Sequence, residues 1–318
     1  MMKTDLQIPT ESNVFPAWIQ SFDNAFIDGF DIECTGTILL RGRVYKFTCE
    51  SYDMKLPVWH QVPNVCVLVR LRDHMALRFN NSNKLYFDSI SLLNPAIPLN
   101  VARNLYDSGS LAPELNQYVD LLLFLTSHLN TPLRHFLFKV FLNEELAKAF
   151  VTVGASTNHH HAKNGGLLMH SVESALMANQ LATTWMKPAE AGITVVATLL
   201  HDIGKTRTFN NHGHWSELGH YVSNDAMSLE VLAPYLSKLE NQWKTGAYLL
   251  RHILGWNRKD KRYPAFPGTH LMKMCDQLST SLELRNTAFK GKPDWYRYTY
   301  HGGKYQQRFL RLSNQGEL

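Results

Sequence analysis

The sequence predicts an α+β protein: a small N-terminal β-barrel, then an all-α helical bundle, then a short basic, aromatic, β-like tail. Three observations carry this. Strand formers alternate between turn residues up to about residue 100, apolar residues recur at helical spacing from about 117 to 285, and aromatic and basic residues alternate near the C-terminus. The divisions are a β domain at 1–100, a linker at 101–116, a helical domain at 117–285 and an extension at 286–318. A chain of 318 residues with 45% hydrophobic content fits two modest cores.

From Asp31 the run IECTGTILL alternates, turns at Arg41-Gly42 and returns as RVYKFTC, a hairpin pattern. NVCVLVRL, MALRF and KLYFDSI follow, separated by a charged turn and by Asn80-Asn81-Ser82-Asn83, which makes about five strands. Five short strands suit a small OB-like barrel, a fold able to hold single-stranded nucleic acid. A module that only caps the helical domain, or that mediates dimerisation into a homo-oligomer, is the other reading. Cys34, Cys49, Cys66 and Cys275 lack CxxC spacing and read as reduced core residues.

PAIPLN, beginning at Pro95, is stiff and extended, and DSGSLAPE carries turn residues, so this stretch reads as the connection. VDLLLFLTSHL and LRHFLFKVFLNEELAKAF then predict two helices interrupted near Thr131-Pro132. His128 and His135 on them fit no ligand pattern and read as structural.

The centre of the chain is the stretch from Asn158 to Lys205. His170 is followed 31 residues later by the adjacent pair His201-Asp202. Imidazole nitrogens and a carboxylate suit divalent transition metals or magnesium, and a carboxylate can give one oxygen to each of two ions, so Asp202 is the natural bridge. The run from Ala191 to Leu200 is apolar apart from Thr194 and Thr198, which predicts a buried helix delivering His201 and Asp202 at its C-terminal end. Gly204 reads as the helix stop, and Lys205 is near enough to meet a phosphate. His170 opens a segment whose Leu168, Val172, Ala175, Leu176 and Ala182 share a helical face.

Further ligand candidates are His220 after Gly219, His252 in LLRHILG and Asp276 in LMKMCDQL. His252 could instead be a hydrogen-bonded core histidine, whereas a carboxylate in the apolar surroundings of Asp276 calls for a cation. His212 and His214 read as solvent-facing. In the triplet His159-His160-His161, the turn at 163–166 would fold His161 back beside His170, as a substrate-phosphate contact or a metal ligand.

Taken together, His170, the His201-Asp202 doublet and Asp276 resemble the HD superfamily of metal-dependent phosphohydrolases. The order NQYVDLLLFL, LRHFLFKVFL, HHHAKNGGLLMHS, LLHDIGK, LGH and LLRHIL is similar to the YhaM-type 3'-to-5' exoribonucleases, which carry an OB-like barrel before an HD domain. It also resembles the HD-type relaxase-like (TraI) proteins of conjugative elements. The resemblance covers roughly residues 115 to 285 and implies that the helical domain is an HD bundle. Two departures stand out: Gly255-Trp256-Asn257 follow His252 where the exonucleases show further histidines, and Thr280 stands where a second acidic residue is expected.

Net charge is +5, but residues 285 to 311 carry seven Lys or Arg against the single Asp294. The loop WNRKDKRYPAFPGTH offers Arg258, Lys261 and Arg262, and the tail offers Trp295, Arg297, Lys304 and Arg308 among tyrosines, a mixture suited to stacking bases and pairing phosphates. WYRYTY also describes an ordinary two-faced strand with Gly302-Gly303 as its turn. No apolar run approaches the 18 or so residues of a membrane span, and MMKTDLQIPT lacks a signal design, so a cytoplasmic protein is expected.

The expected activity is metal-dependent phosphoester hydrolysis. One or two divalent ions (manganese, iron, cobalt, nickel or magnesium) held by His170, His201, Asp202 and Asp276, with His220 and His252 completing a second position, would activate water for in-line attack. Lys205 and His161 would neutralise the phosphate. The expected partner is single-stranded RNA or DNA. Alternatives are a nucleotide or small phosphate ester as substrate, and a nucleic-acid-binding scaffold of a mobile element with a structural metal site.

Overall fold

The structure is a computed structural model of the chain and describes residues 14–28, 31–49, 65–72, 83–93, 96–106, 113–156, 164–210, 214–256, 263–302 and 306–312. It divides into two compact units, Met1–Lys148 and Ala149–Leu318.

The first unit opens with a closed five-stranded barrel of order β1-β2-β3-β5-β4, formed by β1 (Val14–Asp28), β2 (Asp31–Leu40), β3 (Arg43–Cys49), β4 (Val65–Leu71) and β5 (Lys84–Leu92). Strand β1 pairs antiparallel with β4 along its first part and with β2 along its second. Register shifts at Ile19/Ser21 and Phe22/Asn24 bend it between the two neighbours. Closure comes from parallel pairing of Lys46–Cys49 with Lys84–Phe87, the arrangement of an OB-like barrel. Alternate residues fill the interior, including Phe15, Ile38, Phe47, Leu85 and Phe87. Gly36 has its reason at the bend of β1, because a Cβ there would lie 2.1 Å from the Ser21 carbonyl oxygen.

The β2–β3 turn has positive φ at both Arg41 (49°) and Gly42 (74°), as a two-residue hairpin of the right twist demands. Left-handed backbone at an arginine costs about 1–2 kcal/mol. Its guanidinium gives this back: it stacks over Phe15 at 4.5 Å and grips Asp120 with both Nε and a terminal nitrogen.

Four of the expected strands are β2 to β5, but the fifth strand of the barrel is β1, which the sequence reading did not anticipate. MALRF lies outside the described residues. The stretch read as a linker carries α1 (Leu99–Tyr106), whose Val101, Ala102, Leu105 and Tyr106 are buried. Helices α2 (Pro113–Ser127), α3 (Thr131–Phe141) and α4 (Glu144–Thr152) follow. The second expected helix is thus two, because Asn143 accepts from the Leu146 amide and starts a new helix. Asn130 caps α3 in the same way, with Pro132 in its first turn.

The second unit contains α5 (Gly166–Trp185), α6 (Pro188–Leu200), the short α7 (Lys205–Thr208), α8 (Asn224–Gln242), α9 (Lys244–Gly255) and α10 (Pro267–Phe289). Helix α6 is central: α5, α9 and α10 all pack on it. Its buried hydroxyls are satisfied locally, Thr194 donating to the Glu190 carbonyl and Thr198 to that of Thr194. A hairpin of β6 (Tyr298–His301) and β7 (Gln307–Leu310) closes the unit, with Phe309 packed on Leu284, Ala288 and Phe289 of α10. Among the described residues, no helix is long and apolar enough to cross a membrane. All four cysteines are buried and none is in a disulfide.

Candidate metal centre

The site begins with a left-handed glycine. Gly165 (φ 77°) caps α5, and the amides of Gly165 and Leu167 donate to the Thr152 and Val153 carbonyls, which fixes the helix start. His170 follows in the buried first turns. Its Nδ1 lies 3.0 Å from the Ser279 hydroxyl of α10, which leaves Nε2 turned toward Asp276 Oδ1 at 3.3 Å and Asp202 Oδ2 at 3.7 Å.

His201 sits at the end of α6. Its Nδ1 donates to the Thr198 carbonyl at 2.7 Å, so in the neutral ring Nε2 holds a lone pair. That nitrogen is buried, has no hydrogen-bond partner, and lies 3.3 Å from Asp202 Oδ2 and 3.6 Å from Asp276 Oδ1. A lone pair facing two carboxylate oxygens is repulsive, so the geometry requires a cation there: a proton or a metal ion. Burial pushes the His201 imidazole down, but the Asp202 and Asp276 carboxylates outweigh it and raise it to about 10. Burial keeps His170 below the ordinary histidine range.

One ligand atom each from His170, His201 and Asp276 lies within 4.8 Å of the others. Metal–nitrogen and metal–oxygen bonds of about 2.0–2.2 Å span such a set with small side-chain adjustment. The donors present therefore fit a divalent ion. Burial opposes ionisation of both carboxylates, yet Asp276 is held well below the usual range by the two histidines, and Asp202 by Lys205 and the histidines.

Lys205 Nζ lies 2.5 Å from Asp202 Oδ2. The ammonium expected to face a phosphate thus binds the central carboxylate, while Asn224 Nδ2 donates to the other oxygen at 3.0 Å. Gly204, read from the sequence as a helix stop, lies past the end of α6 and caps the start of α7; its φ is −59°, so its need is space and not a left-handed backbone. A Cβ there would lie 2.2 Å from the Asn224 carbonyl oxygen and 2.6 Å from the Ser228 amide nitrogen. The Ser228 hydroxyl accepts from the Gly204 amide and reaches the His201 carbonyl, both at 2.9 Å, which ties the doublet's turn to α8.

The structure brings together His170, His201, Asp202, Lys205 and Asp276. His220 is exposed on a 3-10 turn (Leu218–His220), and His252 is half-buried on α9 with an unpartnered Nε2; neither joins the cluster of candidate ligands. His161, Arg258, Lys261, Arg262 and Lys304 lie outside the described residues. Trp295 and Arg297 are exposed before β6, and Arg308 is exposed on β7. Sequence reasoning missed Ser279, Asn224 and Ser228. Ser279 lies one helical turn past Asp276, and Asn224 follows the capping Ser223, whose hydroxyl accepts from the Ala226 amide.

The TraI_2 family model, described as "Putative helicase", matches residues 118–208, a span that includes His170, His201, Asp202 and Lys205. No curated protein and no solved structure matches the chain.

Proposed function

We propose that this chain is an HD-type metal-dependent phosphohydrolase, a phosphodiesterase that shortens single-stranded nucleic acid from the 3' end. The observation that carries the reading is the buried His201 Nε2 facing two carboxylates, beside a second histidine in the same relation. The sequence order of these residues is that of the HD pattern.

In this reading His170, His201, Asp202 and Asp276 hold the ion, which supplies Lewis acidity toward a phosphoester and lowers the pKa of water at the site. Two imidazoles in the set favour manganese, iron, cobalt or nickel over magnesium. The protein's own residues do the rest. Ser279 fixes the His170 ring, the Thr198 carbonyl fixes the His201 tautomer, and Asn224 orients Asp202. Lys205 holds positive charge beside Asp202, where it can offset charge building on phosphate oxygens.

The test is hydrolysis of 5'-labelled single-stranded RNA and its DNA counterpart, with manganese or with chelator, by the wild type and by Asp202→Ala. A metal-dependent ladder shortened from the 3' end, absent in the variant, supports the reading. Intact oligonucleotides beside turnover of mononucleotides would move the substrate to small phosphate esters.

The family match favours a second reading, a nucleic-acid-handling protein; in it the metal site would be structural. The 318 residues contain no P-loop to power a helicase. Oligonucleotide binding that survives Asp202→Ala, with no phosphoester cleaved under any metal, selects this reading.

A further inference from the structure

The C-terminal hairpin has two faces of different character. Thr299 and Phe309 are directly paired and buried, and Phe309 packs on α10. The alternate positions Tyr298, Tyr300, Arg308 and Leu310 therefore point the other way. Tyr298 and Tyr300 are 58% and 53% exposed, and Leu310 is 57% exposed. Arg308 is paired with Tyr300 across the strands and places its guanidinium 5.8 Å from the centre of the Tyr298 ring. Trp295, 63% exposed, stands in the turn that leads into β6.

The basic residues of this region divide by what they touch. Arg285 donates to the Leu310 carbonyl. Arg311 donates to the carbonyls of Tyr296, Lys292 and Pro293 and stacks over Phe289 at 4.4 Å, so both hold the hairpin on α10. Lys292, Arg297 and Arg308 are exposed, with Asp294 the single acid between 285 and 311. An open two-tyrosine strand face with cations around it matches the needs of a single strand: a π-face for each base and positive charge for the phosphates. Neighbouring rings on one face are about 6.7 Å apart along the strand, room for separate bases.

We infer that the outward face of β6–β7, formed by Tyr298, Tyr300 and Arg308, is a base-stacking platform for single-stranded nucleic acid. The inference deepens the proposed function by giving its substrate a second holding point on the helix that carries Asp276. Asp276 and Ala288, against which the hairpin packs, are 12 residues apart on α10, about 18 Å along the axis. At the roughly 6.7 Å spacing of the rings, a strand held at both places needs about three nucleotide steps or more.

The test is fluorescence anisotropy of labelled single-stranded RNA of 4 and about 12 nucleotides with the full chain in chelator, where no hydrolysis occurs. The wild type should bind the longer strand. Tyr298→Ala with Tyr300→Ala should weaken this at least about tenfold, from lost stacking. Arg308→Gln, at an exposed position that should leave the fold intact, should flatten the salt dependence by about 0.7 in log–log slope. Crosslinks from 5-bromouridine RNA should map to Tyr298 or Tyr300. Wild-type affinity in the tyrosine variant together with an unchanged salt slope in Arg308→Gln overturns the inference. So does a tyrosine variant that changes only self-association in gel filtration, because the face would then bind a second copy of the chain. Oligonucleotide binding without hydrolysis would sink the phosphodiesterase reading and leave the platform standing. Hydrolysis of small phosphates without oligonucleotide binding would do the reverse.

Discussion

Each compact unit buries a charged cluster, and the two are built on opposite plans. In the first, Arg41 and Tyr106 both donate to Asp120, so that each polar group meets a complementary one. In the second, His201 Nε2 meets two carboxylates across 3.3 and 3.6 Å without a hydrogen bond. The carboxyl groups respond differently. Burial raises Asp120 above its usual value despite Arg41, whereas the histidines hold Asp276 well below its usual value despite burial. A buried cluster that completes its own hydrogen bonds is scaffolding; one that leaves a nitrogen facing anions is a candidate cation site.

The largest effect expected from breaking this contrast is at the second cluster. On the proposed function, Asp276→Ala should lose bound metal after incubation with manganese, read by elemental analysis of dialysed protein, and lower hydrolysis by at least about 10³-fold. The equivalent change in the first cluster should act on stability alone. Asp120→Ala, by leaving Arg41 and Tyr106 without their acceptor, should cost about 3 kcal/mol or more in urea unfolding. Asp120→Asn keeps an acceptor and should cost much less, because burial already penalises the charge. Equal losses in the two variants would show that Asp120 works mainly through its charge.

Smaller changes sharpen the comparison. Gly204→Ala drives a methyl into the backbone of Asn224 and Ser228, which should cost about 1–3 kcal/mol and disturb Asn224 at Asp202. Ser279→Ala removes a partner of the buried His170 Nδ1 and should weaken metal affinity about 10- to 100-fold in a competition titration, with a loss of about 1–3 kcal/mol in urea unfolding. The smallest effect concerns pH. Because the folded state raises the Asp120 carboxyl, the stabilisation from its proton is present at acid pH and is lost as pH rises through the folded value. The urea midpoint of the wild type should therefore rise relative to Asp120→Asn as pH falls toward about 4.

Strands β2 to β5 were legible because each is a short run dominated by strand formers, even though the pairing of β4 with β5 shifts register at Arg70/Leu71. Strand β1 was not, since VFPAWIQSFDNAFID changes partners midway and its register shifts break the two-residue period. The residue types brought together at the candidate metal centre were legible from the doublet, from a histidine opening a helix and from an acid in an apolar helix. Their local partners were not. Nothing in Ser279-Thr280-Ser281 distinguishes the hydroxyl that faces His170, because that depends on how α10 is rotated against α5. The three-residue spacing of Asp202 and Lys205 could be read, but not that the ammonium would meet the carboxylate.

The barrel's closure through parallel β3 and β5 also limits how its unit can recognise anything. Among the described residues each strand has two neighbours, but not along its whole length: Ser21–Asp28 of β1 pair with β2 alone, so an extended peptide could continue the sheet only along such short stretches. Recognition by strand addition is therefore confined to short stretches of it. A larger ligand of the barrel would lie across its strands or engage its connecting loops, with contacts from side chains in place of a long ladder of main-chain bonds.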